Sequence, residues 1–311
     1  MKRLTKLACS LALVSLSATA ISASAATIGV TMNRFNDTFA ALLRNSMKQE
    51  GAAKGANVEF EDAQQDIGRQ ISQIQNFIAQ KVDAIVVALV DTDVSPKITK
   101  MATAAGIPLV YVNLKPADPT LPPKVTFVGS KESEAGKLEM SEVCRLLGGK
   151  GDVVILMGDL SHEATRERTQ SAEDVTKTPA CQGIKVVDKQ SAKWSRTAAQ
   201  DLMTNWLSSG TQFNAVVANN DEMALGAIQA LKAAKRLNGT VVAGIDATSD
   251  ALAAMKAGEL KATVFQDASG QGKGAIDAAL SLAHGENVPS VTYLPFQLVT
   301  PANRQQFAGR N

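Results

Sequence analysis

The sequence predicts an α/β fold made of two doubly wound, parallel-sheet domains of the Rossmann-like type. Strand and helix patterns alternate from residue 27 to residue 285, a rhythm typical of parallel sheets covered by helices on both faces. Ala84 to Val90 is a continuous apolar run, as expected of a strand that is buried on both faces. Polar residues follow several short apolar strands, at the edge where open α/β sheets bind small ligands.

The first 25 residues are interpreted as a secretory signal peptide. A basic start, an apolar run and small residues suited to cleavage follow one another: Lys2, Arg3 and Lys6; Leu7 to Leu16; Ala23, Ser24 and Ala25. The apolar run is shorter than the roughly 20 residues that span a bilayer. We therefore expect export through the inner membrane, cleavage near Ala25 and a periplasmic location.

The charge of the chain bears on its partners, and its cysteines bear on whether a disulfide forms. The chain has 32 Lys and Arg against 30 Asp and Glu, and it has no basic run that would track phosphates, so no nucleic-acid partner is expected. Of the cysteines, only Cys144 and Cys181 would remain after cleavage. Export permits a disulfide between them, but two separate buried thiols fit the sequence equally well.

The first half of the chain alternates regularly. Strands are predicted at 27–32, 58–61, 84–90 and 109–112. Apolar residues at helical spacing mark two of the intervening helices: Phe39, Leu42, Leu43 and Met47; Ile67, Ile71, Ile74 and Ile78. A third helix, through Met101, is predicted to end near Gly106. Residues 113–123 then interrupt the rhythm with a proline cluster, which indicates a boundary.

After this boundary the same rhythm resumes. Strands are predicted at 124–128, 152–157, 184–188, 214–218, 240–245, 261–265, 291–294 and 296–299. Helices are predicted at about 132–147, 163–177, 196–208, 221–234, 248–257 and 269–285. The length of the chain after residue 25 suits two domains of ordinary size.

Three polar residues each follow an apolar strand in this second half: Asn220, Asp246 and Gln266. One polar residue in this position means little, but three converging on one crevice form a specific arrangement suited to ligand hydroxyls. The surrounding segments resemble the sugar-binding signature of type I periplasmic binding proteins of ABC transporters, in the ribose and glucose/galactose group. The resemblance covers nearly the whole chain after the signal peptide.

The resemblance implies a two-domain fold with a hinge of three segments and closure around the ligand. The chain would cross between domains near residues 113, 267 and 291. The N-terminal domain would then comprise residues 26–113 plus 267–290, and the C-terminal domain residues 114–266 plus 291–311.

It also implies roles for six further residues. Asp37 would accept hydrogen bonds from hydroxyls and Phe39 would cover an apolar ring face, although Asp37 also suits a helix cap and Phe39 a core position. Arg168 would hold hydroxyls with its planar donors. The remaining expected contacts come from a crossover residue, a loop histidine and a second stacking ring: Asn113, His162 and Trp194.

Two departures from the residue pattern of the glucose/galactose group bear on which ligand binds. Ala88 and Ala164 stand where the glucose/galactose group has an asparagine and an aspartate that hold peripheral hydroxyls. Their loss favours a ring without a hydroxymethyl arm, and the overall likeness to inositol-type binding proteins points the same way. We therefore expect a cyclitol such as myo-inositol. The alternative is an aldose (ribose, xylose, glucose or galactose) in a protein that also serves a chemoreceptor.

Catalysis is not expected, because the sequence shows no nucleophile elbow, Walker loop or zinc-protease motif. Asp37 and Asp246 could imitate a glycosidase pair, but carboxylates also suit plain hydroxyl recognition. Residues 147–152 have too few oxygen ligands for calcium, so no metal and no cofactor are expected. The expected partners are a small sugar or cyclitol and a transporter permease, with a chemoreceptor as a further candidate, and the protein is expected to be a monomer.

Overall fold

The computed structural model describes residues 25–311, so the predicted signal peptide lies outside the described residues except for Ala25. The strands are β1 (Thr27–Met32), β2 (Asn57–Asp62), β3 (Ala84–Ala88), β4 (Leu109–Asn113), β5 (Val125–Gly129), β6 (Lys150–Met157), β7 (Gly183–Ser191), β8 (Ala215–Ala218), β9 (Val241–Ala243), β10 (Thr263–Phe265), β11 (Val291–Tyr293) and β12 (Gln297–Val299). The α-helices are α1 (Thr38–Ala53), α2 (Ile67–Gln80), α3 (Ser95–Ala105), α4 (Glu132–Leu146), α5 (Glu163–Thr176), α6 (Arg196–Ser208), α7 (Asp221–Ala233), α8 (Ser249–Lys256) and α9 (Ala268–Ala283). Within these residues, no helix has the length and apolarity needed to cross a bilayer.

The first sheet has six parallel strands in the order β11-β5-β4-β3-β1-β2. Its central strand β3 is buried along its whole length, as the continuous apolar run predicts. Helices α1 and α9 pack together over one face, where their apolar side chains meet those of β1 and β3. The other face packs on side chains from α2 and α3, including Phe77 and Ile98.

The second sheet has the order β7-β6-β8-β9, again with all strands parallel. Isolated bridges from Ala243 to Ala262 and from Asp246 to Phe265 continue it to β10, which pairs antiparallel with β12. Helices α4 and α5 pack together on one face, and α6 and α7 pack together on the other. The structure therefore contains two doubly wound α/β domains.

The predicted domain boundary at residue 113 is wrong. Strand β5 pairs with β4 from Leu109↔Val125 to Asn113↔Gly129, so residues up to about 129 belong to the first domain. Strand β11 also joins the first sheet through β5, which moves residues 291–293 out of the second domain. The chain thus passes between domains three times, before α4, between β10 and α9, and between β11 and β12. The crossing between β10 and α9 lies near residue 267.

A disulfide joins Cys144, near the end of α4, to Cys181, which lies between α5 and β7. The two Cα atoms are 5.8 Å apart, and both residues are buried among side chains of α4, α5 and β6. Of the two alternatives that the sequence left open, the structure therefore has the disulfide. The bridge lies where β6 and β7 begin, at the opposite end of the sheet from the polar residues that follow the strands.

We expect reduction of this disulfide to destabilise the protein without weakening ligand binding. The bridge closes a loop with a sequence separation of 37 residues. Loss of its constraint on the unfolded chain should lower the free energy of unfolding by roughly 3–4 kcal/mol. Urea denaturation and ligand titration of the double variant Cys144→Ser/Cys181→Ser measure both quantities. A marked loss of affinity in the still-folded variant would show that the bridge also supports the binding site.

Candidate functional site

One cavity lies between the domains, at the carboxyl ends of strands from both sheets. It encloses about 540 Å³ of space free of protein atoms, counting its opening to solvent. All nine residues that the sequence singled out line it: Asp37, Phe39, Asn113, His162, Arg168, Trp194, Asn220, Asp246 and Gln266. Their convergence follows from topology, because the carboxyl ends of parallel strands meet at one edge of each sheet.

The first domain contributes the loop after β1 and the end of β4. Asp37 caps α1, its Oδ1 accepting from the backbone N–H of Ala40 at 2.6 Å, while its Oδ2 lies 2.8 Å from Arg34 Nε. Asp37 therefore caps the helix and lines the cavity at the same time. Asn113 has a left-handed φ of 66°, and its Nδ2 donates to Gln271 at 3.1 Å. The amide oxygen of Asn113, Oδ1, accepts no hydrogen bond from residues 25–311.

Arg168 is held rigidly at the centre of the second domain's wall. Its Nε donates to Glu132 Oε2 at 2.5 Å, and both side chains are almost fully buried, 4% and 1% exposed. Its two terminal nitrogens donate to the backbone oxygen of Asn219 at 2.6 Å and to Gln266 Oε1 at 3.0 Å. Three of the five guanidinium N–H groups are therefore used, and the other two make no hydrogen bond within residues 25–311.

Asp246 is a buried carboxylic acid in the cavity wall that has no hydrogen-bond donor among the described residues. It is 3% exposed, yet its carboxylate accepts no hydrogen bond from any side chain or backbone group in residues 25–311. Burial raises the pKa of this carboxyl well above its usual range, and Arg168 opposes that effect. Its φ of 128° is one that L-residues rarely adopt. Both carboxylate oxygens are thus available to accept hydrogen bonds from a ligand.

Gln266 and Asn220 add directed donors. Gln266 is held through Oε1 by Arg168, which leaves its buried Nε2 without a partner in the described chain. Asn220 caps α7, because its Oδ1 accepts from the N–H of Met223 at 3.0 Å. Its Nδ2 makes a long contact of 3.4 Å with the backbone oxygen of Trp194, and its second N–H is left for other acceptors. The wall therefore presents both acceptors and donors at fixed positions.

Trp194 lies in a loop after β7 and is fixed from two sides. Its Nε1 donates to His162 Nδ1 at 2.9 Å. The face of its six-membered ring lies so close to Gly158 that an added Cβ would be 2.1 Å from Cζ2. Trp194 itself has a φ of 64°, which the tight turn after β7 requires. Phe39 lines the same cavity from the first domain, so the cavity has an aromatic surface on each side.

We expect Gly158→Ala to displace Trp194. The new methyl group would overlap the indole, which should cost about 1–3 kcal/mol in overpacking and weaken ligand binding by about tenfold or more. Quenching of tryptophan fluorescence by ligand measures the affinity. Gly239→Ala is the matched control, because nothing lies within 4 Å of its added Cβ. Equal affinities of the two variants would contradict the packing role of Gly158.

His162 lines the cavity, but both of its ring nitrogens are already engaged. Nδ1 accepts from Trp194, and Nε2 lies 3.0 Å from the backbone oxygen of Val90, across the cleft. Because an indole N–H only donates and a carbonyl only accepts, the neutral ring carries its proton on Nε2. The contact of His162 with a ligand stays a prediction, and it would not use a ring nitrogen, because both are engaged.

Sequence reasoning missed several residues of the wall and of the layer behind it. Arg34 lines the cavity beside Asp37, three residues before it in the loop after β1. Glu132 lies behind Arg168, and no spacing in the sequence signals a pair 36 residues apart. Asp221 is also buried there and accepts from Thr263 Oγ1 at 2.7 Å. Burial raises the pKa of Asp221 to about 7.

Two sets of contacts join the domains across the cleft. In the first, Thr92 Oγ1 donates to the backbone oxygen of Ser161 at 3.0 Å, and Arg166 reaches Asp93 at 3.3 Å. Arg166 does not line the cavity, because residues two apart on a helix lie on different faces. In the second, Thr38 Oγ1 donates to Glu222 Oε1 at 2.8 Å. The domains are therefore closed over the cavity.

Two α/β domains that close over a polar, aromatic-sided cavity define a ligand-binding protein of the hinged, two-domain class. Residues 28–287 match the family model described as periplasmic binding protein domain. The chain belongs to this family.

Relatives and solved structures agree over nearly the whole length. A putative rhizopine-binding protein of Rhizobium meliloti is 56% identical over 93% of this chain and 94% of its own. An ABC transporter solute-binding protein of Bacillus halodurans, solved with bound myo-inositol, has a TM-score of 0.87 and 41% identity, covering 93% of this chain and all (100%) of its own. The Caulobacter myo-inositol-binding protein, bound to myo-inositol, has a TM-score of 0.84 and 27% identity, covering 90% and 95%.

Proposed function

We propose that this protein is the substrate-binding component of an ABC importer and that it captures a cyclitol of the myo-inositol kind by hinge closure. The observation that carries the proposal is the cavity between the domains, whose wall presents unpaired donors and acceptors around a space with an aromatic side chain on each domain. Such a wall suits a ring with hydroxyls on its rim and C–H groups on its faces.

The polar groups complement a polyol rather than a charged carboxylate or phosphate. Asp246 offers two acceptor oxygens, while Arg168 and Gln266 offer donors beside it. Glu132 neutralises the charge of Arg168 from behind, so this guanidinium attracts anions less than a free one would. A ring of hydroxyls can both donate to Asp246 and accept from its neighbours.

Ala88 and Ala164 support a cyclitol over a hexose. Both line the cavity, each 2% exposed, and neither offers a hydrogen bond to an exocyclic hydroxyl. A buried hydroxyl without a partner weakens binding, so a hydroxymethyl arm beside these alanines would be disfavoured. The solved relatives with bound myo-inositol support the same ligand class. An aldose remains the alternative ligand.

Binding without catalysis is part of the proposal. Cys144 and Cys181, the two cysteines among residues 25–311, form the disulfide, and both nitrogens of His162 are engaged in hydrogen bonds. Asp37 caps a helix and pairs with Arg34, which suits a fixed acceptor rather than a general acid. The proposal also includes cleavage of the signal peptide near Ala25, a monomeric mature protein in the periplasm, and a transporter permease as partner. A chemoreceptor is a further proposed partner.

Thermal unfolding of the ligand-stripped mature protein tests the ligand class. The panel contains myo-inositol, other inositols, glucose, galactose, ribose, xylose and the rhizopine for which the Rhizobium relative is named. We expect a higher melting temperature with inositols and little change with aldohexoses. A shift with aldoses alone would reject the cyclitol, and no shift with any compound would reject the proposed function. Asp246→Asn is the control, and its melting temperature should not respond to the ligands.

A further inference from the structure

His162 forms a bridge between the stacking ring of one domain and the backbone of the other. It lies at the start of α5 in the second domain, and it is 5% exposed. Its Nδ1 holds the indole N–H of Trp194, which belongs to the same domain, while its Nε2 contacts the carbonyl of Val90 in the first. The imidazole and indole planes are nearly parallel, with 23° between them. The bond to Val90 joins the two domains across the closed cleft.

The geometry points to a coupling device: neutral His162 links the position of Trp194 to domain closure, so that protonation of this ring opens the cleft and releases ligand. An imidazolium has an N–H on each nitrogen. Its Nδ1–H would point at the indole N–H only 2.9 Å away, and neither group accepts. In the open protein, the ring can turn away from both partners and carry a proton in contact with water. The closed state therefore binds fewer protons than the open state.

The charges around His162 do not cancel this effect. Asp159, in the same loop, and Asp91, beyond β3, favour the charged ring, whereas Arg34, beyond β1, opposes it. Burial nevertheless outweighs the two carboxylates and lowers the pKa of His162 below its usual value. With a depressed pKa in the closed form, closure is fully favoured above the pKa of the open form and is lost as the pH falls below it.

The inference rests on the proposed function only for its affinity measurement. If the open form has the usual histidine pKa of about 6.5, lowering the pH from 7.5 to 5.5 should weaken binding by about tenfold through His162. Other buried groups also titrate in this range, among them Glu163, whose pKa burial raises to about 7. The test is therefore the difference between the wild type and a variant that cannot titrate at position 162.

His162→Gln supplies that variant, because an amide can donate to Val90 and accept from Trp194 without gaining a proton. The dissociation constant of myo-inositol, or of whichever panel sugar binds, is measured by calorimetry at both pH values. We expect the wild type to lose about tenfold more affinity on acidification than His162→Gln. His284→Gln, which changes an exposed histidine, should behave as the wild type. Equal losses in the wild type and His162→Gln would overturn the proposal.

A second measurement needs neither a ligand nor a folded variant at position 162, because the bond between Trp194 and His162 Nδ1 lies within one domain and does not depend on closure. The chain has two histidines, so nitrogen NMR of the wild type, assigned with His284→Gln, reports the tautomer of His162 directly. We expect the proton on Nε2 at pH 7.5. A proton on Nδ1 would overturn the coupling, whereas failure of every sugar to bind would reject the proposed function and leave the tautomer result standing.

Discussion

Replacing Asp246 by asparagine is expected to lower ligand affinity by at least about 100-fold while making the ligand-free protein more stable. The carboxylate is buried and accepts no hydrogen bond from residues 25–311. It therefore contributes little to folding but offers two acceptor oxygens to the ligand. Asparagine keeps only one of them, and a buried polar group left without a partner costs about 1–3 kcal/mol. Asparagine keeps the shape of the side chain and tolerates positive φ better than most residues.

The Asp246→Asn substitution should also change how the stability of the ligand-free protein depends on pH. The pKa of Asp246 is raised in the folded protein, so its contribution favours folding at low pH and is lost as the pH rises from the unfolded value of about 3.9 towards the folded one. The Asp246→Asn variant lacks this term. Urea denaturation between pH 5 and 7.5 should therefore show a larger gain in stability at the higher pH. A destabilised variant, or one with unchanged affinity, would contradict the role assigned to Asp246.

Arg168→Met is expected to abolish binding and also to destabilise the fold. It removes the donors that face the cavity and leaves Glu132 buried without its partner. Breaking a buried ion pair from one side typically costs about 3–5 kcal/mol, because the remaining charge is uncompensated. Chemical denaturation of the ligand-free variant measures this loss, and calorimetry of the variant at a temperature where it is folded measures binding.

The double variant Arg168→Met/Glu132→Gln separates the two effects. Neutralising Glu132 removes the uncompensated charge, so most of the lost stability should return. Binding should stay at least about 100-fold weaker, because the ligand donors are still missing. If the double variant were no more stable than Arg168→Met alone, the destabilisation would come from lost packing rather than from the orphaned carboxylate.

Strand ends were the strongest guide to the site in the sequence. Asn220, Asp246 and Gln266 each follow a short apolar strand, and parallel topology brings such positions to one edge. An apolar strand followed by a polar residue is therefore enough to predict where these three side chains lie. The resemblance to a known family supplied the residues that lie outside this pattern, such as Trp194 in its loop.

Other features depend on contacts that sequence patterns do not encode. The apolar run of β5 predicts a strand but not the sheet that it joins, and its pairing with β4 moved the domain boundary. Glu132 is visible only as the first residue of a helix, although it is the ion-pair partner of Arg168. His162 was expected to face the ligand, yet its two nitrogens bond to groups 32 and 72 residues away in sequence.

The central claim is that a cyclitol is held between the two domains, and calorimetric titration tests it most directly. The mature protein is stripped of ligand by unfolding and refolding, then titrated with myo-inositol, ribose, xylose, glucose and galactose. The account predicts tight one-to-one binding of myo-inositol, with the aldoses much weaker, and loss of that binding in Asp246→Asn. Tight binding of an aldose with no response to myo-inositol would contradict the meaning given to Ala88 and Ala164.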